Sequence, residues 1–136
     1  MNRAEGRIGW PVTVVVVAGA AVVLAGGLLA WFNPGQLLPP DTPIGTGTHL
    51  YAARMAARAL PLGIALLLLL ALRARKMLAG LLVLVAVIEV GDCVSAVVNR
   101  DWVELPGALV TIAFIWAASA LLGAPCWMAR AWRSDR

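Results

Sequence analysis

The chain has 136 residues and a net charge of +4, with 62% of residues hydrophobic and 13% charged. Soluble domains run nearer half apolar and a quarter charged, so this composition excludes an ordinary water-soluble globule and implies one embedded in lipid. The positive charge falls in short clusters flanking apolar runs and not along one stripe, which argues against a nucleic-acid surface and for membrane topology signals.

Crossing about 30 Å of hydrocarbon at about 1.5 Å per residue takes about 20 mostly apolar residues. Four stretches meet or nearly meet that requirement. The first, residues 11–32, opens at Trp10-Pro11 and closes at the breaker Asn33-Pro34-Gly35. Proline is tolerated in a first helical turn, and tryptophan suits the headgroup region. The stretch lacks a clear small-residue cleavage site, so a retained helix is expected and not a secretory signal peptide. Residues 33–48 follow, with Pro34, Pro39, Pro40 and Pro43 among glycines. Such a segment resists regular structure and serves either as a cap over the bundle end or as a plain linker.

The second helix is expected over residues 49–72. Its strictly apolar part, residues 59–72, is too short to span alone, so the helix must extend back through Tyr51, Arg54 and Arg58. The basic turn Arg73-Ala74-Arg75-Lys76 leads into a third helix, residues 77–98, which carries Glu89 and Asp92. A short loop, residues 99–104, makes the fourth helix, residues 105–128, an antiparallel neighbour of the third. Gly19, Gly26 and Gly27 in the first helix and Ala113, Ala117, Ala120 and Ala124 in the fourth allow close helix approach. Thr111 and Ser119 can bond their own backbone. Trp116 is expected to pack at mid-depth, and Trp102, Trp127 and Trp132 to anchor at the interfaces. Cys93 and Cys126 lie at different depths and are expected to be unpaired hydrophobes.

Lys and Arg are enriched in cytoplasmic loops. Arg3, Arg7, Arg73, Arg75, Lys76, Arg130, Arg133 and Arg136 fall on one side, and only Arg100 on the other. The expectation is an all-α membrane protein, one four-helix transmembrane bundle over residues 1–136, in the bacterial inner membrane with both termini cytoplasmic.

The informative residues are the intramembrane charges. Arg54 and Arg58 are four apart and Glu89 and Asp92 three apart, so each pair shares one helix face. With a tight turn near Arg75, residues of the second and third helices at equal depth have numbers summing to about 150. Arg58 and Asp92 meet that condition, and Arg58 with Glu89 or Arg54 with Asp92 falls within one turn of it. Each unpaired charge at the bilayer centre costs at least about 2.5–3.5 kcal/mol, so the four are expected to face inward and neutralise one another. Such a network can act as a structural pin between the two helices. Alternatively it forms a pocket opening outward, with Arg54, Arg58, Tyr51 and His49 as ligand-binding groups. Arginine would then hold an anionic or carbonyl oxygen, and Glu89 and Asp92 would serve as acid/base candidates.

No metal-ligand set, phosphate loop, nucleophile elbow or haem motif occurs, so neither a metal nor a cofactor is expected. Paired broken helices are also lacking, which argues against secondary transport by this chain alone. The expected partners are the bilayer, a small lipophilic molecule, and a membrane-protein partner or a second copy of the chain, without nucleic acid. The leading function is binding of that lipophile or an accessory role. The alternatives are a cofactor-independent isomerase or cyclase on a hydrophobic substrate, and a structural subunit of a membrane complex.

Tyr51, Arg58, the leucine run 66–70, the basic turn 73–76 and the Gly91-Asp92 pair together resemble the small four-helix bacterial membrane proteins of domain-of-unknown-function family 4267, which are similar in plan to the DoxX-like proteins. The resemblance covers about three quarters of the chain and implies four helices, but no activity. The family pattern places an acid directly after the arginine matching Arg58, whereas this chain has Ala59 there and carries Glu89 on the third helix. An acid moved from one helix to the other keeps the cluster neutral.

Overall fold

Pro11 opens the first helix where a missing N–H costs nothing, because the first-turn amides have no intrahelical partner. Helix α1 runs Trp10–Phe32 and is followed by a single 3-10 turn, Pro34–Leu37. Helix α2 spans Thr46–Ala71, α3 Arg75–Asn99, α4 Pro106–Leu122 and the short α5 Ala129–Trp132. The computed structural model describes residues 8–37, 45–99 and 106–133. The expectations for Arg3, Arg7, Pro39, Pro40, Pro43, Arg100, Trp102 and Arg136 lie outside those residues, as does the side chain of Arg130.

Helices α1, α2 and α3 are long and apolar enough to cross a membrane. Helix α4 corrects an expectation: it was to reach residue 128 but ends at Leu122, after 17 residues. The cause is local. Gly123 takes a left-handed φ of 66°, and Pro125 cannot continue a helix for want of an N–H. The chain then turns under the bundle. Ser119 Oγ donates to the Ile115 carbonyl at 2.9 Å and accepts from the Cys126 amide at 3.2 Å, while Trp132 Nε1 donates to the Cys126 carbonyl at 2.7 Å. Lys76 Nζ reaches the Arg133 carbonyl at 3.1 Å, tying the tail to the start of α3.

The α2–α3 connection is tight because α2 closes in a Schellman motif. Ala74 N–H bonds the Leu69 carbonyl and Arg73 N–H that of Leu70, both at 3.1 Å, with Arg73 in the left-handed region at φ 54°. Inside α2, Pro61 removes one amide from the helical ladder.

The helices form two hairpins, α1 with α2 and α3 with α4, which meet each other more lightly along α1–α4 and α2–α3. Where they meet well is the end of the bundle that holds the α2–α3 turn. There Val16, Leu66, Leu78, Leu82, Val85 and Phe114 are fully buried in one core shared by all four helices. Small residues set the spacing. A Cβ on Gly19 would lie 2.2 Å from the Phe114 ring, and one on Gly63 2.6 Å from Leu24, so those side chains occupy the glycine surfaces. A second small core of Ala30, Ala52 and Ala56 closes only α1 against α2, toward the opposite end. Trp116 is a further correction: it was expected to pack inside, yet it is 48% exposed on the outer surface of α4. Phe114, two residues earlier, takes the interior position that the helical period allots to one of them.

Candidate functional site

Toward the end of the bundle remote from the α2–α3 turn, the four helices diverge around a cavity of about 230 Å³. Each helix contributes to the wall, with Val22 and Gly26 from α1, Met55, Arg58, Ala59 and Leu62 from α2, Val85, Ile88, Glu89, Asp92 and Cys93 from α3, and Gly107 and Val110 from α4. The space exists because small residues stand where large ones would fill it. A Cβ on Gly26 would meet nothing within 4 Å.

Three of the expected site residues come together on that wall. Arg58 Nη2 donates to Asp92 Oδ2 at 2.9 Å, joining α2 to α3. The equal-depth argument identified this pair, since both helices leave the same turn at about 1.5 Å per residue. Glu89, one turn nearer the α2–α3 turn than Asp92, directs its carboxylate at the first turn of α4. Its Oε2 lies 3.0 Å from where a Cβ on Gly107 would stand, and Cys93 Sγ lies 3.3 Å from the same point. A carboxylate at a helix N-terminus is favoured by the unsatisfied amides and the positive end of the dipole. Gly107 is what lets it approach so closely. Ala59 faces the same cavity as Glu89.

The other three expected residues are elsewhere. Arg54, Tyr51 and His49 are exposed and do not belong to the described lining. The cavity is also not confined to the α2–α3 interface, as the sequence suggested, but is walled by all four helices. Nor are the charges sealed inside. Arg58 and Asp92 side chains are 48% and 40% exposed, and no polar or charged side chain among the described residues is fully buried. The physical reason is the light packing of the two hairpins at this level, which leaves the pair at a seam and not in a core.

Sequence reasoning missed the contributions of Gly26, Met55, Cys93 and Gly107. Gly26 was assigned to helix packing, because spacing alone does not separate a glycine that meets a neighbour from one that meets empty space. The Pro106-Gly107 pair was the available signal: it marks a helix start that can accept an acid at close range.

The site's chemistry is that of a small apolar chamber with one guanidinium and two carboxyl groups on its wall. The guanidinium offers planar donors to a carbonyl or acidic oxygen, and the carboxyl groups offer acceptors or a proton. No protein-family model matches this chain, and no curated protein or solved structure matches it.

Proposed function

We propose that the chain is a four-span protein of a bacterial inner membrane, with both termini and the α2–α3 turn cytoplasmic. On this reading its outer-half cavity binds a small lipophilic molecule through that molecule's carbonyl or acidic group. The eight basic residues on the cytoplasmic side against one on the other support the orientation. At 17 residues α4 extends only about 25 Å, so its crossing relies on local thinning of the bilayer around it. Membership in family 4267 belongs to the same proposal and rests on the residues quoted for it.

One observation carries the binding reading: a single cavity, apolar over most of its wall, brings Arg58, Glu89 and Asp92 to one place. Its volume sets the size of the occupant. A protein cavity of about 150 Å³ holds benzene, so about 230 Å³ suits a fused two-ring system or a short branched chain and not an entire phospholipid. Binding of 1,4-naphthoquinone to the detergent-purified protein, followed by calorimetry, tests this. Saturable one-site binding is expected for the native chain. It should be lost in Gly26→Leu, whose side chain enters the chamber, while the melting temperature holds. Binding that does not saturate, or that Gly26→Leu leaves unchanged, rejects the site.

A second reading is favoured by the nearness of acid and cation on the same wall. A cofactor-independent isomerase or cyclase would use Glu89 or Asp92 to move a proton and Arg58 to hold the developing oxyanion. Turnover abolished by Glu89→Gln, with naphthoquinone binding intact, separates the enzyme from the binder. A structural subunit that docks on a membrane partner would show neither binding nor turnover.

A further inference from the structure

We propose that the α2–α3 seam at the far end of the bundle is a lateral gate, clasped by the Arg58–Asp92 ion pair, through which a lipophile passes between bilayer and cavity. The proposal rests on the reading of the cavity as a binding site and adds to it the route of access and what controls it.

The distribution of packing is the first argument. Every described core residue that α3 and α4 share with the other hairpin lies between the α2–α3 turn and the level of Val85, Ala86 and Phe114. Beyond that level the buried residues Ala30, Ala52 and Ala56 hold α1 to α2 only. The two hairpins therefore share a packed core at one end and border a half-open cavity at the other. Packed cores resist deformation and cavities do not, so relative motion of the hairpins concentrates at the far end.

What joins the hairpins at cavity level is the second argument. The Phe114 ring against Gly19 lies within the shared core, below that level. On the α2–α3 side the hairpins are joined at cavity level by the side-chain contact Arg58 Nη2–Asp92 Oδ2, 2.9 Å long. Both partners are nearly half exposed, so the contact can open without dragging either group out of a core. Met55 and Leu62 from α2 and Ile88 from α3 give the cavity beside the pair an apolar wall. An approaching carbonyl or acidic group can replace Asp92 as the acceptor for Arg58, which couples occupancy of the cavity to release of the clasp.

Spin-label distances in lipid nanodiscs test the gate without any ligand. In a background lacking both native cysteines (Cys93→Ala, Cys126→Ala), one far-end pair, Leu50→Cys with Val98→Cys, spans the seam. A second pair nearer the turn, Leu68→Cys with Leu84→Cys, spans the same two helices beside the shared core. All four labelled positions are exposed. Asp92→Asn and Arg58→Gln should each lengthen and broaden the far-end distance, raising the open population about fivefold, the factor that corresponds to about 1 kcal/mol. The turn-end distance should stay fixed, and the charge swap Arg58→Asp with Asp92→Arg should restore the short far-end distance. A far-end distance unmoved by both single substitutions overturns the gate. So does a turn-end distance that lengthens in step, because the bundle would then be loosening as a whole. Naphthoquinone binding is scored separately, so a seam that opens in a protein that binds nothing rejects the site and not the opening.

Discussion

The two halves of this bundle are built from similar apolar sequence yet do opposite things with it. At the α2–α3 turn, glycine faces receive large side chains and the four helices share one core. At the far end, Gly26 faces open space on the wall of a half-open chamber between the hairpins. Small residues alone therefore do not make helices pack. The outcome depends on whether the neighbouring helix offers something to fill the groove, and Phe114 does so for Gly19 while nothing does so for Gly26.

That contrast can be broken most strongly at its packed end. Phe114→Ala removes a fully buried ring that all but touches Gly19, and should cost about 3–5 kcal/mol, read as a large fall in thermal midpoint in detergent. A loss below about 1 kcal/mol would mean that the shared core does not hold the hairpins together. Next in size is one substitution made at both ends. Gly19→Ala drives a methyl into the Phe114 ring and should destabilise by about 1–3 kcal/mol. Gly26→Ala meets nothing within 4 Å and should stabilise α1 by up to about 1 kcal/mol through helix propensity. Equal effects at the two sites, measured by the same thermal scan, would erase the distinction between the halves.

Much of this was legible in the sequence, and the reasons differ by element. The limits of α1 are marked by Trp10-Pro11 and Asn33-Pro34-Gly35, and both marks act through local backbone chemistry. The Arg58–Asp92 pair follows from two helices leaving one turn at a fixed rise. The end of α4 was missed because the apolar run continues through Pro125 to Met128, and hydropathy outweighed the Gly123 and Pro125 signals. Arg54 shares a helix face with Arg58 and nearly the depth of Asp92, and Tyr51 and His49 continue toward the same helix start, but a shared face does not fix how far the cavity extends, and its described α2 wall stops at Met55. The cavity itself is a property of four surfaces together, and no single segment encodes it.

At the turn, Arg73 adopts a left-handed conformation that costs a side-chain-bearing residue about 1–2 kcal/mol relative to glycine. Arg73→Gly keeps the Schellman bonds of Ala74 and Arg73 and removes that strain, so the thermal midpoint should rise by the equivalent of about 1 kcal/mol. The same substitution removes one of three basic residues from the turn on which the proposed cytoplasmic orientation rests. Orientation probed by reporter fusions should nonetheless hold, because Arg75 and Lys76 remain.

The smallest stability effect is expected where the functional effect is largest. Asp92→Asn removes the charge that pairs with Arg58, and a buried pair broken in this way would cost several kcal/mol by stranding a guanidinium in apolar surroundings. This pair is 48% and 40% exposed, and the long Arg58 stem lets its head group keep its exposed position, so the loss should be below about 1 kcal/mol. The protein should therefore melt almost unchanged while its far-end seam opens. A melting temperature that collapses in Asp92→Asn would mean that the pair is a structural pin and that the far half, like the turn half, is held shut by what it buries.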